Sequence, residues 1–101
     1  MESENTQTEK KLGWLTQTEN GDYIVSTKVG DIVLREQNAE TLDSALSLSE
    51  KTGKDPSTIL LMKSIVDKEK FPDREILKLP GSVYVKLKKA IVEIYDLSDF
   101  L

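Results

Sequence analysis

Apolar and polar positions change rhythm twice along the chain, which separates an N-terminal β region from a helical remainder. Met1 to Lys11 is polar apart from its first residue. Such a stretch buries too little apolar surface to offset its ordering entropy, so residues 1–11 are expected as a disordered tail and 12–101 as one small domain. Leu12 to Glu36 reads as β-structure. Asn20-Gly21 is a turn signal of the type I′ kind, and Tyr23-Ile24-Val25 supplies aromatic and β-branched residues after it. A second turn is expected at Val29-Gly30-Asp31, before Ile32-Val33-Leu34. The resulting hairpin pairs Tyr23–Thr27 with Ile32–Arg35, within about 22–36. Trp14-Leu15-Thr16 is either a third strand or a loop. Trp14, the single tryptophan, either covers one edge of the core or anchors a partner.

From Asn38 the period lengthens to that of helices. Asn38 suits an N-cap, Leu42, Ala45, Leu46 and Ser49 share a face, and Glu40 and Asp43 favour the positive end of the helix dipole. Lys51 and Gly53 suit the last turn and a left-handed C-cap, which predicts a helix over about 39–51. Asp55-Pro56 restarts the pattern as cap and first helical residue. The run Ile59-Leu60-Leu61-Met62, continued by Ile65 and Val66, predicts a central helix over about 56–67, apolar on more than one side. An exposed face that binds a partner would give the same pattern. The short link Lys54-Asp55 makes these two helices an antiparallel hairpin. After the charged stretch Asp67–Lys70, a short turn over 73–78 is expected, with Ile76, Leu77 and Leu79 facing inward. The Leu79-Pro80-Gly81 step then starts a last helix, about 81–97, with Val83, Leu87, Ala90, Ile91 and Ile94 as its apolar stripe. Tyr84, Val85 and Tyr95 widen that surface beyond one stripe. The expected class is α+β, mainly α: an N-terminal β-hairpin followed by a bundle of three to four helices.

Composition narrows the chemistry. The 101 residues include no cysteine and no histidine. Disulfides, thiolate metal sites and the commonest general base are therefore excluded. The net charge of −4 opposes binding to a phosphate backbone. No apolar run approaches the roughly 20 residues of a membrane span. No signal peptide is expected at Met1–Lys11, and the location read from these features is cytoplasmic. The glycines are scattered at turns rather than gathered in a phosphate loop. Acidic pairs such as Asp67 with Glu69 and Asp73 with Glu75 lie in Lys- or Arg-containing stretches and read as solvated. Asp96 and Asp99 lack the spacing of a calcium loop. The cluster Lys86, Lys88, Lys89 does not share one helical face and lacks interleaved aromatics, so no nucleic-acid partner is expected. No enzyme activity, cofactor or metal is expected.

The order of parts resembles the small tail assembly chaperones of tailed bacteriophages. The resemblance runs from Val29 to Leu101. Its marks are Leu34-Arg35-Glu36 before a helix, the Leu79-Pro80 step before a last helix, and the Phe100-Leu101 ending. Gln37 stands where members commonly have a proline, and the 73–78 turn replaces a longer stretch of small residues. The resemblance implies a non-catalytic protein that binds the tape measure protein, or another tail protein, through amphipathic helices and keeps it soluble during tail assembly, in the host cytoplasm. It points to the surplus apolar area of the last helix as the contact surface: Tyr84, Ile91, Tyr95 and Phe100. The alternative is a small regulatory or adaptor protein that self-associates through that helix as a homo-oligomer.

Overall fold

The computed structural model describes residues 10–97. It opens with an antiparallel meander of β1 (Lys10–Leu12), β2 (Leu15–Gln17), β3 (Tyr23–Thr27) and β4 (Gly30–Leu34), arranged in sequence order. Four helices follow: α1 (Ala39–Thr52), α2 (Pro56–Ser64), the one-turn α3 (Asp73–Ile76) and α4 (Gly81–Tyr95). The protein is an α+β fold, mainly α. The Tyr23–Thr27 hairpin arm forms as expected, and Leu15-Thr16 does belong to a third strand. The N-terminal polar stretch ends sooner than its composition suggests, because Lys10 pairs with Thr16 and Leu12 with Leu15. Backbone pairing thus orders Lys10 and Lys11; residues 1–9 of the expected tail lie outside the described residues.

Alternation across the strands makes one face of the sheet apolar. Leu15 pairs with Val25, and Val25 with Ile32, in a row that is fully buried. Each such side chain contributes about 1.5–3 kcal/mol through removal from water. The opposite row, Thr16, Ile24 and Val33, is half-buried. The β2–β3 connection departs from a type I′ turn. Gly21 (φ 94°) has left-handed backbone while Asn20 does not, and Gly21 N–H closes the turn on the Thr18 carbonyl at 3.0 Å. Asn20 instead accepts the Asp22 N–H on its side chain at 3.2 Å.

α4 crosses the inner face of the sheet over β3, α2 packs on α4, and α1 packs on α2. Local signals explain most helix ends. Asn38 Oδ1 accepts the Thr41 N–H at 3.0 Å, and Gly53 ends α1 with φ 77°. Asp55 accepts the Ser57 N–H, with Pro56 at the first helical position. α4 stops at Asp96, whose left-handed φ of 54° turns Leu97 back into the core.

α2 ends three residues before the apolar run suggests. Ile65 adopts extended backbone and pairs with Leu34 as an isolated bridge. Arg35 N–H donates to the Ser64 carbonyl at 2.8 Å, and Val66 N–H to the Val33 carbonyl at 3.0 Å. The β-branched pair Ile65-Val66 thus serves as a fragment of strand against the outer edge of β4. Sheet pairing, invisible to local periodicity, overrides helical propensity there.

Candidate functional site

The last helix uses its apolar residues differently from the expectation for a contact surface. Ile91 is 0% exposed, which corrects its assignment to a partner-binding face. It belongs to the stripe Val83, Leu87, Ala90 and Ile94 that seals α4 onto the rest of the core, because a helix crossed by a sheet on one side and α2 on another has more than one inner face. Tyr84 and Tyr95 are half-buried, and their hydroxyls are occupied. The Tyr95 hydroxyl accepts the Gln37 N–H at 2.7 Å and bonds Ser64 Oγ at 2.8 Å, joining α4 to the β4–α1 link and the end of α2. The Tyr84 hydroxyl bonds Thr58 Oγ1 at 2.5 Å. Phe100 lies outside the described residues.

A polar clasp covers the start of α2. Lys88 Nζ donates to Asp55 Oδ2 at 2.5 Å and sits 5.1 Å from the Tyr84 ring centre. Partial burial works against the charge on Asp55. Hydrogen bonds from Lys88 and Ser57, together with the Lys88 charge, outweigh it and hold the carboxyl below its ordinary range. Lys88 is likewise penalised by burial, but Asp55 and Tyr84 raise its pKa overall. Only Val85, half exposed, with parts of Tyr84 and Val92, leaves apolar surface beside Lys88 and Lys89 on α4.

The larger open apolar surface lies on the far side of the helical layer. A groove of about 510 Å³ runs between α1, α2 and α3. Ile59 and Met62 of α2 form its floor. Leu48 and Thr52 of α1 make one wall, and Asp73, Arg74 and Leu77 make the other. Leu48 is 42% exposed and Leu77 is 66% exposed, against complete burial of neighbouring Ile76. The inward orientation expected for Leu77 is therefore corrected. α3 is a single turn, and with Ile76 pointing into the core the next residue faces about 100° away from it.

Leu48 is outward for a related reason. α1 docks on α2 through Ala45, with Leu42 and Leu46 on one flank of that contact, where they line a small crevice with Leu60 and Leu97. Leu48 stands on the opposite flank, about 60° from Ala45 around the helix. A sequence signal existed: Leu48 falls outside the stripe that Leu42, Ala45 and Leu46 define. α3 is held against the groove by buried Phe71 and Ile76. Lys68 strengthens the position, donating to the Met62 carbonyl and reaching Asp73 Oδ1 at 3.4 Å.

Two further features are structural in character. Arg35 forms a two-pronged pair with Asp22, Nε–Oδ1 at 2.8 Å and Nη2–Oδ2 at 3.0 Å. The hydrogen bonds from Arg35 lower the Asp22 pKa despite the opposing effect of burial. Lys86 Nζ donates to the Ser26 carbonyl at 2.9 Å and lies 5.8 Å from the Trp14 ring centre, where Trp14 packs half-buried against the core. Among the described residues no three His, Cys, Asp or Glu side chains converge in an arrangement able to hold a metal ion, and no helix is long and apolar enough to cross a membrane. No family model matches the chain, nor does any curated protein or solved structure.

Proposed function

We propose that this chain is a non-catalytic binding protein that seats an amphipathic helix of a protein partner in the groove between α1, α2 and α3. Following the resemblance of its layout to tail assembly chaperones, the partner is the tape measure protein or another tail protein of a bacteriophage or prophage. The observation that carries the binding reading is the groove itself: Leu48 and Leu77 expose apolar side chains on two walls above an apolar floor.

The walls favour a helical occupant. α1 and α2 satisfy their backbone groups internally, so the groove offers no ladder of free N–H and C=O groups. An extended peptide would lie there with its own backbone unpaired, whereas a helix brings its hydrogen bonds with it. Long helical proteins with apolar stripes aggregate when those stripes are bare, and covering them with a small acidic domain keeps the complex dispersed.

The test is coexpression with tape measure segments, reading the soluble fraction of the segment. The chain is expected to raise that fraction, and Leu48→Asp with Leu77→Asp to abolish the effect while the domain stays folded, with its cooperative melt retained. Equal solubility with and without the chain overturns the chaperone assignment. Retained binding by the double variant overturns the groove.

A further inference from the structure

We infer that the groove selects an amphipathic helix whose apolar stripe is bordered by aspartate and glutamate. This rests on the reading of the groove as a helix-binding surface and adds the chemistry of its occupant.

The whole chain is acidic, with 18 Asp and Glu against 14 Lys and Arg. The lining of the groove reverses that sign. Lys54, Lys63 and Arg74 stand around it with Asp73 as the single carboxylate, and Asp73 already faces Lys68 at 3.4 Å. Lys54 and Lys63 form no ion pair among the described residues, and both are exposed. Arg74 has only Glu75 nearby, at 4.0 Å.

The placement of the cations matters as much as their number. Lys54 follows the end of α1, Lys63 lies in the last turn of α2, and Arg74 belongs to α3, so each helix bordering the groove contributes one at or beside it. A helix lying on the Leu48–Met62–Leu77 surface would bring the residues flanking its apolar stripe toward them. Acidic flanks would gain ion pairs at the rim while the stripe covers the leucines. Basic flanks would meet like charge at Lys54, Lys63 and Arg74. The long, flexible lysine side chains suit this role, keeping their ammonium groups in water until the occupant arrives. Rim charges of this kind set partner choice and association rate more than bulk affinity.

The experiment compares two helical peptides of about 20 residues, long enough for stable helicity. They share one Leu/Ile stripe, flanked by Glu in one and by Lys in the other. Binding to the full chain is followed by fluorescence anisotropy. The Glu-flanked peptide is expected to bind roughly tenfold more tightly at about 0.1 M salt. The preference is expected to shrink toward unity near 1 M salt, where the screening length falls to about 3 Å. Lys54→Glu with Lys63→Glu is expected to reverse the order, with circular dichroism unchanged because both side chains are solvated.

Equal affinities at low salt, both abolished by Leu48→Asp, overturn the charge selection and leave the groove standing. Binding of both peptides that Leu48→Asp does not weaken, or binding of neither, overturns the groove and the inference with it. A stable dimer that Leu48→Asp dissociates assigns the groove to a second copy of the chain and also overturns the inference.

Discussion

The half of the molecule built from the sheet and α4 differs from the half built by α1 to α3 in how completely it is closed. In the first, Leu15, Val25, Leu87 and Ile91 have no exposed surface, and the polar groups that reach inward end on partners, as the Tyr95 hydroxyl does on Gln37 and Ser64. In the second, Leu48 and Leu77 stand open beside equally buried Leu61 and Ile76. A domain of this size has a stability of only about 5–15 kcal/mol, so surface left uncovered in one half must be supported by thorough closure in the other. The comparison teaches that apolar content along a helix does not locate a binding face. α4 is more apolar than α1, yet its stripe of Val83, Leu87, Ala90, Ile91 and Ile94 is buried and only Val85 stands half exposed, whereas α1 leaves Leu48 open.

The sharpest way to break this contrast is to truncate the closed half. Ile91→Ala is expected to lower stability by about 2–5 kcal/mol in denaturant titrations, through lost burial and an unfilled cavity. A loss below about 1 kcal/mol would return Ile91 to the surface. Tyr95→Phe is expected to cost less, about 1–3 kcal/mol, by stranding the Gln37 N–H and Ser64 hydroxyl that the tyrosine now satisfies. Its unfolding midpoint against that of the native chain measures the effect.

The Asp22–Arg35 pair makes a pH-dependent contribution. The folded-state pKa of Asp22 is lowered, so its stabilisation is present above the ordinary aspartate value of about 3.9 and is lost as the pH falls through that value toward the folded one. Asp22→Asn is expected to narrow the stability difference between neutral and acidic solution, read from thermal midpoints across that range. The smallest expected effect on stability comes from the open half. Leu48→Asp is expected to cost no more than about 1 kcal/mol, because the side chain is 42% exposed and the loss is confined to its partial burial and the lower helix propensity of aspartate. A large loss there would mean that the groove closes in solution.

Much of the fold was legible in short-range chemistry. Asn38, Gly53 and Asp55-Pro56 mark helix ends through hydrogen bonds made within a few residues, and the Val83–Ile94 stripe identifies the buried face of α4. What periodicity missed depends on distant partners. Ile65-Val66 reads as a continuing helix until β4 is placed beside it. Lys10-Lys11 reads as tail until β2 supplies a neighbour. Leu77 reads as inward until the one-turn length of α3 fixes which of two adjacent residues takes the core. The candidate site was the least legible part. Ile91 reads as surplus because a helix with two inner faces resembles one with an outer apolar face, and periodicity does not single out Leu48, which lies outside the α1 stripe and whose wall partner Leu77 belongs to another element.

The strand fragment Ile65-Val66 has a consequence for self-polymerisation. By occupying part of the outer edge of β4, it removes backbone donors and acceptors on which another molecule's strand would otherwise template. Among the described residues the opposite margin of the sheet is β1, three residues long, with a register shift in its pairing. Shortness and irregularity both discourage edge-to-edge stacking. Both margins of the described sheet are thus poorer templates for another molecule's strand than a long, bare edge would be.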